Sequence, residues 1–374
     1  LGFDIGSSSV KASLVNADNG KCVASAFYPK SEAPITAVQP GWAEQVPEMW
    51  WKNLKLALAD VMSTSGAKAD EVDAVGISYQ MHGLVCVDKE GKPLRPSIIW
   101  CDGRTAKECE EITALVGKDR LMEITKSPAL TGFTASKILW VRNNEPDIYA
   151  KCRHILLPKD YVRFKLTGEY ASEMSDASGT NLLDVPNRCW SKEILDALNI
   201  DDNLMPRLTE SSDVAGYITS EAAQVTGLIA GTPVAGGAGD NAAAAVGTGV
   251  VRSGRAFTTI GTSGVVFAHT DMVTIDPLGR AHTFCCAVPG AWHVMGVTQA
   301  AGLSLKWFRD TLCADEVAVA KQMGCDSYDL INKQVAQSPI GANRLFYLPY
   351  LMGERTPHLD SDCRGAFVGL SAMH

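Results

Sequence analysis

Asp240 follows four small residues, Gly236-Gly237-Ala238-Gly239, so a second molecule can approach its carboxylate without meeting a side chain. A carboxylate in that setting suits a general base that accepts a hydroxyl proton. It equally suits the cap of a helix opening near Asn241. Two short turns carry a different chemistry. Gly6-Ser7-Ser8-Ser9 and Gly261-Thr262-Ser263-Gly264 set backbone N–H groups beside hydroxyls, which is the composition of an anion nest. Plain hairpin turns share that composition. Asp4 stands just before the first turn and Lys11 just past it. A carboxylate beside phosphate groups repels them unless a cation intervenes, so this pairing predicts Mg²⁺ together with a phosphate ligand. His82 lies between Met81 and Gly83 in a turn after a strand, where a histidine is either a hydrogen-bonded structural residue or a ligand contact.

The elements that must position these residues are legible around them. Leu1 to Ile5 is short and apolar, Val10, Ala12 and Leu14 alternate with Lys11 and Ser13, and Asp18-Asn19-Gly20 marks a hairpin before Cys22 to Tyr28. The chain therefore opens as a three-stranded antiparallel meander. A helix is expected from Pro47, with Trp50, Leu54, Ala57, Leu58 and Val61 on one face. Val72 to Ser78 and Leu84 to Val87 read as strands, and the stretch 105–230 as mainly helical. A second beginning appears near residue 234, where a strand enters the glycine run before Asp240. Ile5-Gly6-Ser7-Ser8-Ser9-Val10 and Ile260-Gly261-Thr262-Ser263-Gly264-Val265 are the same device, a strand, a hydroxyl-rich turn and a returning strand. A duplicated α/β architecture follows, with domains 1–233 and 234–374. Trp100, Asp102 and Arg104 read as a cluster built on an internal ion pair, and Leu303, Trp307 and Phe308 as helix core.

Composition narrows the classes of function. Hydrophobic residues make up 46% of the 374 positions and charged ones 20%, an ordinary globular balance that excludes a disordered chain. The formal net charge of −8 gives no general attraction to nucleic acid or to an anionic membrane surface. The longest stretch without Asp, Glu, Lys or Arg, Ala281 to Leu305, is broken by His282, Pro289, Gly290, His293 and Gln299 and does not read as a membrane span. Eleven cysteines with no Cys-x-x-Cys spacing favour reduced thiols in a cytoplasmic protein, and no zinc spacing is present. Leu1 opens directly on a strand-like segment, so a few residues are expected to precede it.

Taken in order, these segments resemble the FGGY family of carbohydrate kinases from Asp4 to Leu370. Asp4-Ile5-Gly6-Ser7-Ser8-Ser9-Val10-Lys11 resembles the family's first phosphate loop, with Ser7 where threonine is usual, and Gly41-Trp42-Ala43-Glu44-Gln45 its aromatic-acid segment. Ser78-Tyr79-Gln80-Met81-His82-Gly83 is similar to the sugar-site turn, in the Met-His form of the members that phosphorylate D-xylulose. Gly132 to Trp140 fits the first family signature; Leu157-Pro158-Lys159-Asp160-Tyr161 and Ser175 to Thr180 continue it. Gly239-Asp240-Asn241-Ala242 resembles the catalytic segment, Gly261-Thr262-Ser263 the second phosphate loop, and Gly353 to His358 the late signature.

The resemblance implies an actin-like ATPase fold, two ribonuclease-H-like domains around a central cleft, with ATP and a small sugar as substrates. Asp240 would be the general base. Met81, His82, Gly83, Asp240 and Asn241 would line the ketose site, and Asp4 would hold Mg²⁺. Gly6, Ser7, Ser8, Ser9 and Lys11, with Gly261, Thr262 and Ser263, would hold the ATP phosphates. The implied reaction is phosphorylation of D-xylulose to xylulose 5-phosphate, with no nucleic-acid or membrane partner and a homodimer left open. The family's glycine-rich adenosine segment lies beyond His374, so the second domain is expected to be incomplete at its C-terminal end. A kinase for another ketose or a polyol, an actin-like nucleotide switch and an inactive sugar-binding fragment are the competing readings.

Overall fold

The structure is a computed structural model that describes residues 1–360 and 362–374. Its chain forms two compact units, Leu1–Arg255 with His269–Gly279 and Thr283–His293, and Ala256–Ala268 with Arg280–His282 and Val294–His374.

The first unit is built on the expected meander. Strands β1 (Gly2–Ile5), β2 (Val10–Val15) and β3 (Cys22–Tyr28) pair antiparallel in sequence order. Helix α1 (Pro47–Ser65) begins on its proline and closes at Gly66, whose left-handed φ of 68° lets its N–H reach the Met62 carbonyl. Trp50, Leu54, Ala57, Leu58 and Val61 are buried and join Phe3, Ile5, Val10, Ala12 and Leu14 in one core. Each fully buried Val, Leu, Ile or Phe among them contributes about 1.5–3 kcal/mol. The alternating burial of β2 arises because one face of the strand meets this core and the other meets solvent.

Strand β4 (Gly76–Tyr79) adds to β1 in parallel, and β5 (Ala238–Gly239) adds to β4 in parallel, giving the sheet order β5-β4-β1-β2-β3. The strand expected over Val72 to Ser78 is thus shorter and later, with Val75 making only an isolated bridge to Val234. Over 105–230 the chain is mainly helical, as its periodicity predicts, with short strands between the helices, which include α2 (Thr134–Asn144) and α3 (Pro158–Thr167). The segment expected to open a second domain at residue 234 hydrogen-bonds into this sheet and lies in the compact unit that runs to Arg255. Helix α4 (Asp240–Gly247) follows β5 directly.

In the second unit, β6 (Ala256–Ile260) and the first part of β7 (Gly264–Thr270) form an antiparallel hairpin. Helix α5 (Gly302–Leu312) seats its first amides on that hairpin's turn, Gly302 N–H donating to the Gly261 carbonyl at 2.8 Å and Leu303 N–H to the Thr262 carbonyl at 3.2 Å. The expectation that Trp307 and Phe308 are helix core is corrected here, since no residue of α5 is fully buried; Trp307 lies parallel to the Tyr347 ring, with centroids 6.1 Å apart. The two turns are alike but not equal. The first closes between Ile5 and Val10 and the second between Ile260 and Gly264, one residue shorter. No helix among the described residues is long and apolar enough to cross a membrane.

Candidate active site

Three neighbouring parallel strands end at the same edge of the first sheet. Asp4, Ser78 and Ala238 are register partners, and so are Ile5, Tyr79 and Gly239. One step further, the chain leaves β1 as Gly6, β4 as Gln80 and β5 as Asp240. Residues separated by more than 230 positions are thereby delivered to one edge, the place where open α/β sheets bind ligands.

Asp240 is the first residue of α4. It does not cap the helix in the usual sense: Gly239 holds that position, and the Asp240 carboxylate instead accepts from Asn241, at 2.7 Å from its backbone N–H and 3.0 Å from its side-chain amide. The residue is exposed, yet neighbouring protein limits the solvation of its carboxyl. Withdrawal from bulk water raises its pKa to about 6; the Asn241 bonds oppose the rise and the charge of Asp4 adds to it. At pH 7 such a group is mostly ionised and still basic enough to take a proton, the compromise a general base needs.

The backbone behind Asp240 is held from below. Gly239 N–H donates to Ser175 Oγ at 3.1 Å, and Ser175 Oγ donates to Glu173 Oε1 at 2.8 Å. Arg163 donates to the Gly236 carbonyl and to Asp160. Lys159, wholly buried, lies 3.1 Å from Asp160, 3.5 Å from Glu173 and 3.3 Å from Asp176, and the Tyr79 hydroxyl donates to Asp176 Oδ1 at 2.8 Å. Two cations thus face three carboxylates. Burial first, then the neighbouring carboxylates, push Asp176 well above the usual carboxylate range, opposed by the attraction of Lys159.

Glycines make room at this edge. A Cβ on Gly239 would lie 2.8 Å from Met81 Sδ, and one on Gly237, whose φ is +78°, would overlap the Ile77 carbonyl. Met81 is buried against Gly239 and clusters with Phe133 and Phe284, so Met81 and the Asp240 segment meet. His82 adopts a left-handed φ of 72°, and its Nδ1–H donates to the Gly179 carbonyl at 2.9 Å. That bond requires the proton on Nδ1. The Phe133 ring lies 4.6 Å from the imidazole. The structural reading and the ligand reading of His82 are therefore compatible. Gly83 is buried under Pro158, whose Cγ would lie 2.5 Å from an added Cβ.

Asp4 is one-third exposed, accepts from Ser78 Oγ at 3.2 Å and pairs with the open Lys11 ammonium at 3.4 Å. Among the described residues no group of three or more His, Cys, Asp and Glu forms a metal cage. Mg²⁺ needs none: it keeps several waters and takes one or two carboxylates beside substrate phosphates, so a single accessible carboxylate next to a hydroxyl-rich turn fits it. In that turn Gly6 N–H donates to the Ser9 carbonyl at 3.0 Å and Ser8 Oγ to Glu32 at 3.3 Å. In the second unit, Gly261 N–H donates to the Ser263 carbonyl at 2.9 Å, and Gly261 and Thr262 are exposed.

Several contributors escaped the sequence reading. Gln45 joins two of the loops: Nε2 donates to the Ser7 carbonyl at 2.7 Å while Oε1 accepts from Gln80 Nε2 at 3.0 Å. Ser78 braces Asp4, and Ser175 braces Gly239. All three stand in segments that carry the family resemblance, but their partners depend on register and packing. Asp102 and Arg104 form the predicted buried ion pair at 2.7 Å, extended to Glu44, with the Arg104 guanidinium 3.7 Å over the Trp42 ring. Trp100 remains partly exposed.

Comparison with known proteins gives the family. Residues 1–247 match the N-terminal domain and residues 256–374 the C-terminal domain of the FGGY family of carbohydrate kinases. The chain belongs to that family and is an ATP-dependent sugar kinase. It is 41% identical over 374 residues to the xylulose kinase of Bacillus subtilis (strain 168), covering all of this chain and 72% of that protein. Against the xylulose kinase of Escherichia coli (strain K12) the identity is 39%, over all of this chain and 73% of the relative. Among solved structures, a Brucella ovis xyloylose kinase superposes with a TM-score of 0.88 at 39% identity, covering all of this chain and 73% of that one. A Lactobacillus acidophilus gluconate kinase superposes at 0.89 with 27% identity, over all of this chain and 72% of that one, so this fold serves more than one sugar acid or ketose.

Proposed function

We propose that the chain transfers the γ-phosphoryl group of ATP to the terminal hydroxyl of D-xylulose, giving xylulose 5-phosphate and ADP, with Asp240 as the general base. The observation that carries this reading is the raised, solvent-reached carboxylate of Asp240 at the strand edge it shares with Asp4 and the Met81-His82 turn. The substrate follows from that turn and from the xylulose kinases among the relatives.

The transition state of phosphoryl transfer is loose, so positioning contributes more than strong deprotonation. Asp240 orients the terminal hydroxyl and accepts its proton as the oxygen–phosphorus bond forms and the bond to the ADP oxygen breaks. Asn241 keeps the carboxylate aimed, and Met81 and His82 hold the ketose. The turns Gly6-Ser7-Ser8-Ser9 and Gly261-Thr262-Ser263 hold the phosphate oxygens through their hydroxyls and through backbone amides other than those of Gly6 and Gly261, which close the turns, with Lys11 as a point charge. Asp4 would hold Mg²⁺, which when bound neutralises charge on the phosphates.

ADP release with Mg-ATP and D-xylulose, other ketoses, polyols, gluconate or no sugar tests the proposal. Release that depends on D-xylulose above the others supports it. Preference for another sugar overturns the substrate, and release independent of sugar overturns the kinase chemistry assigned to the site.

A further inference from the structure

His82 is held in a backbone conformation that side-chain-bearing residues rarely adopt, and one side chain accounts for its persistence. Lys137, in the first turns of α2 and wholly buried, donates from Nζ to the His82 carbonyl at 2.8 Å and to the Gly132 carbonyl at 2.7 Å. Helical side chains lean toward the N-terminus of their helix, which is how a residue at the fourth position reaches back to these carbonyls. Thr134 Oγ1, in the same turn, donates to the same His82 carbonyl at 3.2 Å. On the other side, the imidazole is pinned by Gly179, where an added Cβ would overlap the ring.

A cation is a poor choice for this location on general grounds. It is buried, and it sits near the positive end of the α2 dipole. Burial lowers its pKa to about 7, opposed chiefly by Asp102 and next by Cys101, while Arg104 lowers it further and Cys109 raises it. Asp102 itself is engaged by the Arg104 guanidinium. What Lys137 gains in return is two short charge-assisted bonds to carbonyls, one of them on the residue that turns Met81-His82-Gly83 away from β4.

We propose that Lys137 is a positioning residue of the sugar site, its buried ammonium fixing the His82 carbonyl and through it the orientation of the imidazole. The inference rests on His82 contacting the sugar. As pH rises through about 7 the ammonium loses its charge and its bonds weaken, so sugar affinity falls with pH while the ATP site is untouched.

The test compares D-xylulose binding, followed by intrinsic tryptophan fluorescence, in the wild type and in Lys137→Met, Thr134→Val and His82→Ala. Lys137→Met raises the sugar Kd about 10- to 100-fold, the range for a lost charge-assisted bond, with KM for ATP within about twofold. Thr134→Val raises the sugar Kd about two- to fivefold through the same carbonyl and decides the matter if Lys137→Met fails to fold. Wild-type sugar Kd rises between about pH 6.5 and 8.5, and the rise is absent in Lys137→Met. If His82→Ala weakens binding while Lys137→Met and Thr134→Val bind sugar as the wild type does, Lys137 is structural only and the inference falls. If His82→Ala also leaves binding unchanged, the assignment of His82 to the sugar fails and takes the inference with it.

Discussion

Ser175 accepts a hydrogen bond from the Gly239 amide at 3.1 Å, one residue before Asp240. That bond ties the Asp240 segment to the buried Lys159, Glu173 and Asp176 cluster, so the carboxylate proposed as the base is held in place by groups buried behind it. Ser175→Ala leaves the amide without its buried partner. The expected result is a kcat lowered about five- to tenfold, or about 1–1.5 kcal/mol, with sugar affinity within about twofold. Steady-state kinetics on D-xylulose read both numbers, and an unchanged kcat would mean the loop is held elsewhere.

Burial raises the Asp240 carboxyl to about 6 in the ligand-free protein, so kcat/KM should fall along an acid limb centred there. Stability moves the opposite way. The folded protein holds this proton more tightly than an unfolded chain, whose carboxyl has a pKa of 3.8, so ionising it above about pH 6 costs stability that is absent below 3.8. Asp240→Asn should therefore raise Tm at pH 8 and change it little at pH 4. Scanning calorimetry at the two pH values checks the sign.

In the buried cluster, Lys159 and Asp176 are predicted to differ sharply. Lys159→Met strips the countercharge from Asp160 and Glu173 and should destabilise by about 3–5 kcal/mol in denaturant titration. Burial disfavours the charged form of Asp176, so Asp176→Asn, which keeps an acceptor for the Tyr79 hydroxyl, should cost under about 1.5 kcal/mol. Equal losses would place the charge on Asp176 after all.

Gly179 bears directly on His82. Because an added Cβ would overlap the imidazole, Gly179→Ala must displace the ring. Sugar KM should rise at least about tenfold with KM for ATP unchanged, a split that separates the two substrates.

Much of this was legible in the sequence because its signals are local. The meander, α1 with its buried face and the two hydroxyl-rich turns follow from alternation, Pro47 and turn residues within short windows. Asp240, Asp4, Met81 and His82 stand in motifs whose order along the chain is itself informative. What could not be read was register. Nothing near Asp4 says that Ser78 is its neighbour, and nothing near Gly239 points to Ser175, because both relations arise only when β1, β4 and β5 align. The same holds for Lys137, whose position on a helix reveals its spacing but not the carbonyl it reaches. The strand entering the glycine run before Asp240 reads as the start of a second domain because a copy of the first strand-and-turn device follows it at Ile260 to Val265; its hydrogen bonds complete the first sheet.

The central claim is that Asp240 takes the proton of the sugar hydroxyl, and Asp240→Asn tests it most directly. ADP release with saturating Mg-ATP and D-xylulose should fall about 10²- to 10⁴-fold, with sugar Kd kept within a few-fold, as for loss of a general base. A mutant that turns over D-xylulose at a rate comparable to the wild type would contradict the account.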